Sequence, residues 1–238
     1  MIEHAFASED IRDGGVVLLV DKPLGWTSYQ VVRKIRSLFN VRRVGHAGTL
    51  DPKATGLLIV CTGKKTKQVP LLMSLEKEYI GTLELGIRTA SFDTETGVTE
   101  RRGFSHITET MLREGAARMV GALRQRPPMY SALKVNGHPL YRYARRGEEV
   151  ERAEREVLVR EFAITASDLP RADFRVVCSK GTYVRSLVDD LGQQLGCGAT
   201  LIALRRIRIG AFSVEESWTM ERLTQLSGEL GLAKQKAS

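Results

Sequence analysis

The chain has 238 residues, 42% of them hydrophobic, which is enough for one large domain or two small ones with a real core. Its 36 Lys and Arg against 28 Asp and Glu leave a net charge of +8, a surplus that favours a polyanionic partner such as nucleic acid. No stretch approaches the ~18–20 apolar residues that span a bilayer, residues 1–13 hold no apolar signal core, and Cys61, Cys178 and Cys197 form no C-x-x-C pair, so the expectation is a cytoplasmic protein with reduced thiols and no membrane partner.

In chain order, residues 16–20 form a continuous β-branched apolar run and read as a buried strand. Thr27 and Gln30 are spaced as a capping box, so a helix starts there and continues through Val31, Val32, Ile35, Leu38 and Phe39. Arg33, Lys34 and Arg36 form its solvated face. Residues 41–55 read as a loop, 57–61 as a buried strand, and 64–75 as a short basic helix disturbed by Pro70. A strand is expected over 79–85, a polar connection over 88–102 and a helix over 108–120. Residues 124–152, with Pro127, Pro128, Pro139, several tyrosines and seven Arg or Lys, read as an inserted loop or hairpin that faces RNA. Strands follow at 157–165 and 174–179, a helix at 183–195, a strand at 201–209 and an amphipathic helix at 220–226. The irregular mixture, without β-α-β alternation, predicts an α+β fold with a mostly antiparallel mixed sheet flanked by helices.

Several chemistries fail on spacing. Gly63-Lys64 lacks the earlier glycine and the following Ser or Thr of a phosphate loop. Ser131-Ala132-Leu133-Lys134 has no S-D-N or K-T-G companion. The four histidines are scattered, so no metal is expected. Asp93 to Gly97 resembles the start of a calcium loop with its glycine misplaced, and reads as a solvated turn.

The informative segment is Gly45-His46-Ala47-Gly48-Thr49-Leu50-Asp51-Pro52-Lys53-Ala54-Thr55-Gly56-Leu57-Leu58. It is a glycine-punctuated loop that presents one carboxylate just before a buried strand. Pro52 holds Asp51 extended, and the glycines allow tight bends or close backbone approach. An ordinary aspartate is ionised at neutral pH, which suits a nucleophile or base rather than an acid. On residue chemistry alone, a turn or cap role for Asp51 fits better than a catalytic one.

The same segment resembles the catalytic motif of the TruB family of pseudouridine synthases. Four further blocks resemble that family in the right order: Asp21-Lys22-Pro23-Leu24-Gly25-Trp26-Thr27-Ser28; Lys77-Glu78-Tyr79; Pro127-Pro128-Met129-Tyr130-Ser131-Ala132-Leu133-Lys134 with Gly137 and Tyr141; and Lys180-Gly181-Thr182-Tyr183-Val184-Arg185-Ser186-Leu187 with Asp190-Leu191-Gly192. Leu204-Arg205-Arg206 matches another of its blocks.

The resemblance implies a single pseudouridine synthase catalytic domain over residues 1–238, with 124–152 as the RNA-gripping insertion. It implies isomerisation of a uridine in the T loop of tRNA, at conventional position 55, by a monomer that needs no cofactor and no metal. Asp51 would be the catalytic carboxylate and Arg185 its paired guanidinium. His46 would occupy space beside the flipped base, Tyr79 would stack on the uracil, and Tyr183 and Leu204 would line its pocket. Lys22, Lys64, Lys65, Lys67 and the 142–146 region would contact phosphate. Only about 26 residues follow Phe212, too few for the small C-terminal RNA-binding domain of PUA type that many bacterial members carry. A tRNA-binding chaperone without essential catalysis is the alternative, and it leaves Asp51 and Arg185 unexplained.

Overall fold

The computed structural model describes Ile11 and residues 14–232, so the polar start read above lies outside the described residues apart from Ile11. In chain order the elements are β1 (Val17–Lys22), α1 (Ser28–Phe39), β2 (Val44–His46), β3 (Ala54–Thr62), a 3-10 turn (Gly63–Gln68), α2 (Val69–Ser74), β4 (Lys77–Leu85), β5 (Ile87–Thr89), β6 (Val98–Arg101), α3 (Glu109–Arg118), β7 (Gly121–Gln125), β8 (Lys134–Val135), β9 (His138–Pro139), α4 (Leu140–Ala144), β10 (Arg155–Asp168), β11 (Arg171–Cys178), α5 (Val184–Gln194), β12 (Ala199–Ile209), β13 (Phe212–Ser213), a second 3-10 turn (Val214–Glu216) and α6 (Met220–Glu229). Strands and helices mix as the α+β class requires. The chain divides into two compact units, residues 1–77 with 205–238, and residues 78–204.

In the first unit, β3 is buried along almost its whole length because both of its faces are covered. Leu58 and Val60 join one apolar cluster with Leu18 and Val20 of β1, Val31, Ile35 and Phe39 of α1, and Leu223 of α6. Leu57, Ile59 and Cys61 point the other way, into a second cluster with Leu72 and Ile209. The period of two in a strand delivers alternate residues to the two cores. β1 runs antiparallel to β3, from Val17 opposite Cys61 to Lys22 opposite Gly56. The capping box expected at Thr27 and Gln30 is present, and Arg33, Lys34 and Arg36 are exposed as predicted.

Local signals misled in two places here. The 41–55 loop contains β2, which pairs with β3 from Val44 opposite Thr62 to His46 opposite Val60. A three-residue strand is too short to carry a periodic signal. Pro70 does not disturb a helix but begins one: residues 63–68 form the 3-10 turn and the proline occupies the first turn of α2, where its missing N–H costs nothing.

In the second unit the strand order is β12-β4-β11-β10-β7. β10 pairs antiparallel with β11 on one side and with β7 on the other, Arg155 lying opposite Gln125. Phe162 and Phe174 meet edge to face at 5.5 Å across β10 and β11. Thr108 caps α3, whose Gly115 lets Leu191 of α5 approach. The expected insertion holds the small hairpin β8–β9 followed by α4, while Arg124 and Gln125 belong to β7 rather than to it.

The 88–102 stretch is less of a simple connection than its polarity suggested. It contains the paired strands β5 and β6, and the loop between them buries Ser91 and Asp93. The turn expected there exposes Thr94, Glu95 and Gly97, but its first residue, Asp93, is only 3% exposed. Its Oδ1 accepts from the Glu95 N–H, and its carbonyl accepts from both the Thr89 and Ser91 hydroxyls. Polar side chains that satisfy one another can be buried, and a sequence pattern cannot distinguish them from solvated ones.

Candidate active site

The residues singled out from the sequence divide between the two units. In the first unit Asp51 is half-buried on the connection between β2 and β3. The loop that carries it is fixed from several sides. Ser28, at the start of α1, uses its hydroxyl to accept from the Leu50 N–H at 2.9 Å and to donate to the Leu50 carbonyl at 3.2 Å. The Asp51 carbonyl accepts from Ala54 N–H at 3.1 Å, and the Pro52 carbonyl from Gly25 N–H at 2.8 Å. Gly48 takes φ +98° and Gly56 φ +99°, the left-handed region that favours glycine.

Arg206, 1% exposed, ties this loop to β3: its Nε donates to the Leu57 carbonyl at 2.7 Å and its guanidinium to the Gly48 carbonyl at 3.1 Å. Neighbouring Arg205 forks onto both oxygens of Asp21 at 2.6 and 3.0 Å. Sequence reading noted the Leu204-Arg205-Arg206 block without giving the arginines a role.

Lys22 does not sit where a phosphate contact would be made. It is fully buried, and its ammonium donates to the carbonyls of Trp26 at 2.7 Å and Pro23 at 3.0 Å. The last residue of β1 points into the core phase of the strand, so the charge is held inside the loop rather than on the surface. Burial pushes its pKa from 10.5 down to about 8; the negative charge of Asp51 opposes that shift, Arg206 adds to it and Asp21 opposes it. Lys64, Lys65 and Lys67, by contrast, are exposed on the 3-10 turn.

The depressed Lys22 pKa has a definite sign in stability. The unfolded chain keeps this proton up to about 10.5 and the folded chain only up to about 8, so between these values the unfolded state binds more protons and stability rises with pH. Urea unfolding of the wild type, compared with Lys22→Met across that range, should shift in favour of the wild type as pH rises.

His46 closes β2 and is half-buried. Burial, and then the charge of Arg206, hold its pKa below 6.5, so the imidazole is neutral at pH 7. Its Nδ1 is buried without a hydrogen-bond partner among the described residues.

In the second unit Arg185 and Tyr183 come together. Tyr183 is the residue that precedes α5, and the Arg185 guanidinium lies 5.6 Å from the centre of its ring. Arg185 is 2% exposed and donates to the Ser91 carbonyl at 3.1 Å. The loop after β5 thus supplies the acceptor that holds it, from the buried Ser91, and this support was missed because that stretch read as a polar connection. Ser91 is locked in turn by hydrogen bonds with Thr96 through both its N–H and its hydroxyl. Tyr79 on β4 is 8% exposed, and Leu204 on β12 is half-buried rather than sealed in the core. On the insertion, Arg145 and Arg146 lie over the rings of Tyr141 and Tyr143 at 5.4 and 5.1 Å and remain exposed.

Among the described residues no group of three or more His, Cys, Asp or Glu could hold a metal ion, and no helix is long and apolar enough to cross a membrane. The three cysteines are buried, and burial raises the Cys61 thiol to about 11, which makes it a core residue rather than a nucleophile.

A model described as TruB family pseudouridylate synthase, N-terminal domain, matches residues 36–184, more than half of the chain. The chain belongs to the TruB family of pseudouridylate synthases. A second family model, the tRNA pseudouridylate synthase B C-terminal domain, matches residues 185–233. Curated relatives named tRNA pseudouridine synthase B agree. The one from Chlorobium luteolum is 46% identical over 224 residues, 92% of this chain and 77% of its own. The one from Opitutus terrae is 49% identical over 210 residues, 88% of this chain and 87% of its own. Among solved structures, a Cbf5-Nop10-Gar1 complex matches 88% of this TruB-family chain with a TM-score of 0.70 and 31% identity. An H/ACA RNP bound to a substrate RNA containing 2′-deoxyuridine matches 88% with a TM-score of 0.67 and 28% identity. The chain spans about half the length of those two, at 53% and 52%. The α+β pseudouridine synthase fold expected from the sequence is therefore the fold of this TruB-family chain, and its enzyme class is isomerase.

Proposed function

We propose that this chain isomerises uridine to pseudouridine in the T loop of tRNA, at conventional position 55, with Asp51 as the required carboxylate. The observation that carries this reading is the construction around Asp51. A half-buried acid sits on a loop pinned by Ser28 and Arg206, between two glycines at positive φ, in the one segment that matches the family's catalytic motif residue by residue.

The reaction exchanges one bond for another within the nucleotide. The bond from N1 to the sugar C1′ breaks, the base turns, C5 bonds to C1′, C5 loses its proton and N1 gains one. The carboxylate can begin this by attack on C1′, by attack on the base, or by proton abstraction to a glycal, and every one of these needs its negative charge. The target base must first leave its stack, which costs a few kcal/mol. Stacking on Tyr79 would return about 1–3 kcal/mol of that. A neutral His46 suits a wedge that takes the vacated space without carrying charge. Tyr183 and Leu204 would line the uracil pocket, and Arg185 would serve as the counter-charge of Asp51. The exposed lysines after β3 and the arginines of the insertion would meet phosphate. The proposal includes a monomer working in the cytoplasm.

A T-arm hairpin made with 5-tritiated uridine tests the assignment, because forming the C5–C1′ bond releases the tritium. Release should come from one uridine and vanish when that base is cytidine, and unrelated hairpins should release none. Binding of the hairpin without any release would favour the RNA chaperone instead.

A further inference from the structure

From the geometry around the start of α5 we infer that Gln125 and Arg155 are positioning residues for this reaction, acting through Tyr183. The inference rests on the reading above that Tyr183 and Arg185 serve the substrate. Gln125 is 2% exposed at the end of β7. Its side-chain amide spends both groups on one residue. The Oε1 accepts from the Tyr183 N–H at 2.7 Å, and the Nε2 donates to the Tyr183 carbonyl at 3.0 Å. That is the exchange an antiparallel strand partner makes, delivered here by a side chain. It matters because Tyr183 occupies the cap position of α5 and makes no side-chain cap of its own. The backbone of the cap residue sets where the first turn of the helix begins, and Arg185 lies in that first turn.

Arg155 acts on the ring. It lies directly opposite Gln125 across β7 and β10, and its guanidinium sits 4.6 Å from the centre of the Tyr183 ring. The ring therefore faces two guanidinium groups, Arg155 and Arg185, the latter at 5.6 Å. Cations over a phenol ring are attracted by its negative face, which limits how the ring can tilt. Gly181, at φ +83°, brings the turn before Tyr183 against Arg155 with room to spare, since a Cβ there would meet the guanidinium carbon at 3.6 Å. One cross-strand pair thus holds both the backbone and the ring of Tyr183, and through them the start of the helix that carries Arg185.

The test compares Gln125→Met, which keeps length and removes both hydrogen bonds, with Arg155→Met and Tyr183→Leu, each alone and combined. The assay is tritium release from the T-arm hairpin at saturating RNA. Misplacement at a reacting centre should lower kcat by about tenfold or more in Gln125→Met while KM for the RNA changes little. Arg155→Met should cost less in the Tyr183→Leu background than in the wild type, because the ring on which it acts is already lost, whereas Gln125→Met, which acts on a backbone that leucine keeps, should cost as much in either. An Arg155→Met effect that simply adds to that of Tyr183→Leu would mark Arg155 as a structural residue only and overturn the inference. So would wild-type kcat in both Gln125→Met and Arg155→Met beside a crippled Tyr183→Leu. If Gln125→Met does not fold, Arg155→Met, which acts on the Tyr183 ring and not on its backbone, carries the comparison. Undiminished kcat in Tyr183→Leu would instead overturn the underlying assignment of Tyr183, and with it this inference.

Discussion

Asp51→Asn should fold like the wild type and lose pseudouridine formation by about a thousandfold or more, as removal of an essential catalytic group does. The substitution is isosteric. The Ser28 hydroxyl, Arg206 and the backbone groups that hold the loop, including the Asp51 carbonyl, are left unchanged. What the reaction loses is one negative charge. Single-turnover tritium release at saturating hairpin measures the chemical step directly, and thermal unfolding checks the fold. A variant that retained near wild-type turnover would remove Asp51 from the mechanism. A second readout is independent of activity. The charge of Asp51 raises the Lys22 pKa against the effect of burial, so Asp51→Asn should drive that pKa below its present value of about 8. A pH titration of the Lys22 side chain by NMR would show it.

Gly56→Ala should destabilise the first unit by about 3 kcal/mol or more, among the largest single-residue effects available in this chain. Two costs combine. The residue sits at φ +99°, where an L side chain costs roughly 1–2 kcal/mol. A Cβ there would also lie 2.3 Å from the Arg206 carbonyl oxygen and 2.9 Å from the Arg206 nitrogen, both of them backbone atoms. A flexible side chain could move aside, but a strand backbone moves only by giving up its register. Because the Arg206 side chain holds Gly48 and Leu57, the displacement would reach the Asp51 loop and lower activity as well. Gly25→Ala is the control: it has φ +81° but nothing within 4 Å of the added carbon, so strain alone should appear. Equilibrium urea unfolding of the two variants separates strain from collision.

The fold was readable in the sequence wherever a signal was local and long enough. The β-branched run of β1, the capping box of α1, the helical spacing before Phe39 and the long strands β10, β11 and β12 all lie where their residues placed them. Short elements escaped. β2 and β5 have three residues each, less than two repeats of a strand pattern, and they exist because a neighbouring strand pairs with them. Buried polar residues misled for a related reason. Asp93, Ser91 and Lys22 have the composition of surface loops, and only the partners supplied by folding show them to be interior.

The catalytic segment was legible because its residues are contiguous: thirteen peptide bonds carry Gly45 to Leu58, so its spacing survives in one dimension. The supports of the site are of another kind. Arg205 reaches Asp21 across 184 positions, Arg206 reaches Gly48 across 158, Arg185 reaches Ser91 across 94 and Gln125 reaches Tyr183 across 58. The order of residues along the chain determined which elements form and which carboxylate is presented. Tertiary structure alone decided which distant side chains hold the Asp51 loop and the start of α5, because hydrogen bonds act over about 3 Å and recognise neighbours in space rather than in sequence.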